Sequence, residues 1–346
     1  MRSFLLIIIV SLLFSCSKEE IGPQCVSCIE EETDTQLADV LIVNEGNFGW
    51  NNGSIFLYKP LVQTISQNIF SQTNNVPLGD VIQSIAQFNN KAYIVVNNSN
   101  KVEVVDLNSF STLATITGFN SPRYFLAINN QKAYVTDLYA NSIQVVNLNS
   151  NSITSNIPLS GWTEELLLHN DSVYVCDVTN DNLLIINPTN NTLVDSVKVG
   201  ESPNSLVIDK NNKIWVMCSG GTNSTLAKLI KFNPQNRAIE NTFTFANISA
   251  SPGSLKINAQ KDELYFLNSS VYQMNINDQT LPTTAFIANN SNTFYGLGID
   301  PVNQDVYVSD AIDYVQNGII FRYSSSGSLI HQFNSGIIPG AFLFIQ

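Results

Sequence analysis

Along residues 38–346, short runs rich in β-branched and aromatic residues alternate with clusters of Asn, Asp, Ser and Gly. Such runs read as strands, and the polar clusters between them as hairpin turns. One pattern recurs: an aromatic-apolar strand, a short polar loop, a β-branched strand, then a turn and a weaker strand. Its copies begin at Leu41 (LIVNEG), Tyr93 (YIVVNN), Tyr134 (YVTDLY), Tyr174 (YVCDVT), Trp215 (WVMCSG), Tyr265 (YFLNSS) and Tyr307 (YVSDAI). Successive starts are separated by 52, 41, 40, 41, 50 and 42 residues, the period of four-stranded propeller blades.

The second strands also align, as in SIFLY, KVEVVDL, SIQVVNL and NLLIINP. A further strand precedes six of the copies, for example Tyr124–Ile128 and Ser205–Asp209, and only the first copy lacks it. The final segment, Pro339 to Ile345, has the matching pattern. The expected fold is therefore all-β: a seven-bladed β-propeller of four-stranded antiparallel blades, closed by the C-terminal strand joining blade one. No stretch of ten or more residues carries a helical period.

The N-terminus follows a different pattern. Arg2 is followed by Phe4 to Phe14, apolar except for Ser11. That run is shorter than the roughly 20 residues of a membrane span and has the length of a signal-peptide core. It ends in Leu13-Phe14-Ser15-Cys16, which resembles the lipobox of bacterial lipoproteins, with Phe14 bulkier than usual there. Ser17-Lys18-Glu19-Glu20 resembles the surface-export signal of Bacteroidetes-type lipoproteins. These likenesses imply a signal peptide over 1–15, a tether over 16–37 lipidated at Cys16, and a propeller over 38–346 on the outer surface of the outer membrane.

Charge narrows the partners. Acidic residues outnumber basic ones 28 to 16, for a net charge of −12, and no Lys/Arg stripe occurs. A surface that tracks phosphates needs such a stripe, so nucleic acid is excluded as a partner. Cys25 and Cys28 form a C-x-x-C in the tether without the second ligand pair that zinc requires. They are read as a local disulfide or two free thiols. Cys176 and Cys218 fall in apolar strands and read as buried small hydrophobes.

In a propeller the loops after each Tyr-led strand and before each inner strand meet on one face. That face collects Trp50, Tyr139, Trp162, Tyr295 and Tyr314, with Arg123, Tyr124 and Asn204. Aromatic side chains on loops are informative because packing does not demand them there. Asp137, Asp177 and Asp310 reach the same rim at one repeat position, so they either contact a ligand or brace the following loop. No calcium-loop spacing accompanies them, and no metal site is expected. The chain has two histidines, His169 and His331, both assigned away from this face, so no Ser-His-Asp or Cys-His set can be assembled. A carboxylate pair such as Glu164 and Asp177 is the remaining catalytic option, and the expectation is a binding protein without cofactor rather than an enzyme.

YVTDLYANSIQVVNLNSNSI (Tyr134–Ile153) and VKVGESPNSLVIDKNNKIWV (Val197–Val216) resemble the YVTN-type repeat of YncE-like propellers. NEGNFG (Asn44–Gly49), SPRY (Ser121–Tyr124), FYGLGIDP (Phe294–Pro301), VSDAIDYVQNG (Val308–Gly318) and IIPGAF (Ile337–Phe342) resemble Bacteroidetes propeller lipoproteins of the BtuG type. That likeness implies capture of vitamin B12 or another cobamide, and transfer to a TonB-dependent outer-membrane transporter. The loop-face residues above would then hold the ligand, with Arg123 meeting its phosphate. A glycan-binding propeller, or a protein-interaction module of the envelope, is the alternative.

Overall fold

A computed structural model describes residues 37–345. Cys16, Cys25, Cys28 and the proposed signal peptide and tether up to residue 36 lie outside the described residues. The described chain forms seven antiparallel sheets arranged as propeller blades, six with four strands and one with three. Blade three is representative, with strands Pro122–Asn129, Lys132–Asp137, Ser142–Asn147 and Ser152–Pro158 running from inside to outside.

Burial explains the hydrophobic pattern. The second and third strands of a blade are covered on both faces by neighbouring blades, so Lys91–Val96 (KAYIVV) reads as a nearly continuous apolar run. Outer strands border solvent, and Thr112–Thr117 (TLATIT) buries only Ile116. Between the strands Asn adopts left-handed backbone at 89, 141, 151, 170, 191 and 212. Its short side chain tolerates that conformation, which accounts for the Asn-rich turns.

The core is not a single mass but a series of layers between blades. Tyr93 of blade two stacks on Phe125 of blade three, ring centroids 4.0 Å apart. Val40, Ile42, Tyr58, Tyr307, Ile320 and Phe333 fill the seam where blade seven meets blade one. Closure occurs as the pattern predicts. Pro339–Ile345 pairs antiparallel with Asp39–Asn44, setting Ile42 against Phe342 and Val40 against Phe344. Cys176 and Cys218 are free and fully buried in their strands.

Two blades depart from the repeat: blade one accounts for the 52-residue spacing, and blade six has a weakened outer strand. In blade one the outer strand shrinks to Thr64–Ser66, and a short helix, Ile69–Asn74, tucks Phe70 into the core. In blade six the outermost strand is reduced to a single bridge between Val271 and Ile287.

Candidate functional site

The predicted loop face exists, and backbone hydrogen bonds tie it together blade by blade. In six of the seven blades the residue leaving the second strand donates its N–H to the carbonyl of the residue just before the inner strand. Leu138 bonds to Ser121 (2.9 Å), Val178 to Trp162 (3.0 Å), Ser219 to Ser202 (3.0 Å) and Ala311 to Thr293 (3.0 Å). Glu45 makes the equivalent bond to Ile338 (2.9 Å), so the closure seam belongs to the same face.

Just inside this face every inner strand carries a one-residue bulge, at the same position in all seven blades. In blade three, for example, Pro122 pairs with Asp137 but Phe125 pairs with Val135. A bulge locally breaks the alternation of side chains and re-aims them. Here the bulges turn Gln83, Arg123, Tyr124, Glu164, Glu165, Asn204, Ser254, Tyr295 and Gly340 toward the central channel, where they line two adjoining cavities of about 350 Å³ each. Tyr124, Glu165 and Ser254 belong to both cavities.

Charge in this ring is almost fully paired. Arg123 Nη2 and Nε lie 2.7 and 2.8 Å from Glu164 Oε1, and Arg123 Nη1 donates to Gln83. Trp162 Nε1 donates to the same Glu164 oxygen, and the guanidinium sits 5.7 Å from the Trp162 ring. Burial pushes the Glu164 carboxyl up, with Arg123 opposing. For Arg123 itself burial is the largest effect and disfavours the charge, but Glu164, Tyr124 and Glu45 together outweigh it and the net shift is upward. Lys256 pairs with Glu165 at 3.3 Å. Glu45 differs. Burial raises its carboxyl to about 7, against the smaller lowering effects of a hydrogen bond from Tyr295 and of Arg123. Burial also drives the Tyr124 and Tyr295 hydroxyls upward, so both stay protonated donors.

The predicted residues divide into three groups. Trp50, Tyr139 and Tyr314 are exposed on the loops (76%, 69% and 44%), with Tyr314 edge-on to Tyr295 at 5.6 Å. Asn47 Nδ2 donates to Tyr314 O at 2.9 Å and ties the Trp50 loop to the Tyr314 loop. Arg123, Tyr124, Trp162 and Asn204 converge on one cavity. Arg123 is not the free cation expected for a phosphate, because Glu164 already holds it. Asp137, Asp177 and Asp310 are buried and occupied with backbone, as braces. Asp137 accepts the N–H groups of Asn120, Ser121, Tyr139 and Ala140; Asp177 takes that of Asn180, and Asp310 those of Thr293 and Ile312.

Gln83, Glu165, Ser254 and Lys256 were missed, because they sit in strands whose alternation assigns no channel-facing role. One signal could have found them. Pro122, Pro203, Pro252 and Pro339 recur where inner strands begin, and Pro in a sheet marks an edge, a first residue or a bulge. Among the described residues no group of three His, Cys, Asp or Glu is arranged to hold a metal ion.

A family described as a domain of unknown function, DUF5074, matches residues 39–344. No curated protein matches the chain by sequence. Among solved structures, a quinoprotein alcohol dehydrogenase-like protein from Bacteroides thetaiotaomicron superposes with a TM-score of 0.69 at 14% identity, over 90% of this chain and 78% of that one. A putative 6-phosphogluconolactonase from Bacteroides fragilis gives 0.68 at 13%, over 91% and 99%. The periplasmic gluconolactonase of Pseudomonas aeruginosa gives 0.68 at 12%, over 90% and 99%. At these identities the likeness is one of fold.

Proposed function

This chain belongs to the DUF5074 family, and we propose that it is a ligand-capture propeller whose loop face takes up a cobamide. The carrying observation is the pairing of exposed aromatic side chains, Trp50, Tyr139 and Tyr314, with a channel mouth whose Arg123 and Glu164 charges cancel. A corrin is broad and flat, with apolar methyl groups and a rim of amides. Aromatic faces suit its body, and Asn204, Ser254 and Gln83 offer hydrogen bonds to its amides. Cavities of about 350 Å³ are too small to enclose the macrocycle, so it would lie across the mouth with amide arms reaching in.

Two details follow from the geometry. The phosphate of the nucleotide loop would meet solvent or backbone rather than Arg123, whose donors are taken by Glu164 and Gln83. The cobalt would keep its own lower base. His169 ends an inner strand at the far end of the channel, and His331 lies in an outer strand. We read the protein as a binder rather than an enzyme because the carboxylates best placed for acid–base work, Glu164 and Asp177, are engaged by Arg123 and Asn180. The lipobox-like Cys16 would tether it to the outer membrane, where a TonB-dependent transporter would receive the ligand.

Calorimetric titration with cyanocobalamin tests the reading. Binding with a dissociation constant at or below about 1 μM is expected, weakened about tenfold or more by Trp162→Ala and unaffected by His169→Ala. Absence of heat and of spectral change at that concentration rejects cobamide capture.

A further inference from the structure

The channel whose Gln83 and Ser254 the cobamide reading employs also holds a carboxylate to which that reading gives no role. Among the described residues the mouth carries three carboxylates, Glu45, Glu164 and Glu165, and two cations, Arg123 and Lys256. Arg123 is spent on Glu164 and Lys256 on Glu165. Glu45 takes part in none of the described ion pairs. It nevertheless lines a cavity of about 350 Å³ together with Tyr295, both packed against Gly340.

The surroundings of that carboxylate are aromatic. Tyr124, Tyr295 and Phe342 line the same cavity, with Leu297 and Ile85 as its apolar wall. Gly340 makes the junction possible: a Cβ there would stand 2.6 Å from Glu45 Oε1 and 3.3 Å from Tyr295 Cε1. An unpaired carboxylate among aromatic faces in a small, partly apolar cavity is the arrangement that recognises an organic ammonium. The carboxylate supplies the counter-charge, the rings supply cation–π attraction, and the apolar wall takes the carbon chain.

The geometry points to a binding site for a small organic amine in its ammonium form, seated in the channel between Glu45, Tyr295, Tyr124 and Phe342. The ammonium would donate to Glu45, replacing the proton that this carboxyl holds below neutral pH. Binding therefore releases a proton to solvent as the carboxylate becomes the amine's partner. Ser254 and Gln83, on the same lining, would accept or donate to a hydroxyl on the amine.

Calorimetry with ethanolamine as probe, at about pH 6.5 and in two buffers of different ionisation heat, tests this on the whole chain. Saturable binding at concentrations up to about 10 mM is expected, with an observed heat that depends on the buffer. Glu45→Gln should weaken binding about tenfold or more and remove the buffer dependence. Tyr295→Phe, which keeps the ring, should retain binding within about threefold. Melting curves verify that each variant is folded. The proposal is overturned if the parent gives no saturable heat, if folded Glu45→Gln binds equally well, or if potassium chloride displaces the probe as effectively as methylammonium. Cyanocobalamin is a separate titrant, so failure of either site leaves the other reading standing.

Discussion

Replacing Glu45 by Gln, without any amine present, isolates the cost of holding this carboxylate in the channel. Burial lifts its pKa from 4.5 to about 7 in the folded chain, with Tyr295 and Arg123 already counted on the lowering side. Lys256 and Glu165 line the same cavity as a mutual pair, and Tyr124 faces it as a neutral phenol. Between the two pKa values the native state keeps a proton that the unfolded chain has released. The unfolded state then binds fewer protons, so stability falls as pH rises through that window. Below about pH 4 both states are protonated and there is no penalty. Above about pH 8 the penalty is complete, and at ~1.4 kcal/mol per pH unit it amounts to about 3 kcal/mol. Gln keeps the size of the side chain and an acceptor for Tyr295, but carries no charge. Glu45→Gln should therefore match the parent at about pH 4 and exceed it by about 3 kcal/mol at about pH 8.5, a gain of about 5 °C for a domain of this size. Differential scanning calorimetry across that range reads the difference. Equal melting of the two proteins at alkaline pH, or a gain of the same size at both ends, would refute the reasoning.

The Arg123–Glu164 pair offers a second perturbation. Arg123→Ala leaves Glu164 buried without its partner and should cost about 3 to 5 kcal/mol in urea unfolding, whereas the double replacement Arg123→Met with Glu164→Leu should recover most of it. If the double variant is no more stable than the single one, the loss comes from packing rather than from stranded charge. Deleting the last ten residues, 337–346, removes the strand that pairs with Asp39–Asn44 and exposes the Ile42 and Tyr58 seam. The truncated chain should aggregate or lose its cooperative transition, and a soluble product melting like the parent would contradict that role for the strand.

Much of this protein is readable from its residues in order. The buried middle strands need apolar side chains on both faces, and the turns need residues that accept left-handed backbone. Both requirements repeat with each blade, so the ring, its count and its C-terminal closure are legible in the spacing from Leu41 to Tyr307. The face that carries Trp50, Tyr139 and Tyr314 is legible for the same reason, because strand direction alternates along the chain. What the residues do at that face is another matter. Asp137 and Arg123 look equally available in the sequence, yet one is consumed by backbone N–H groups and the other by Glu164, 41 residues away. Glu45, Tyr295 and Gly340 are distant along the chain and meet only because closure brings blade seven against blade one. Charge pairing and desolvation depend on distances across blades, and a linear pattern carries no such distances. The sequence alone determined the ring and its loop face; tertiary contact decided which charges cancel, and among the described residues left Glu45 as the channel carboxylate outside any ion pair.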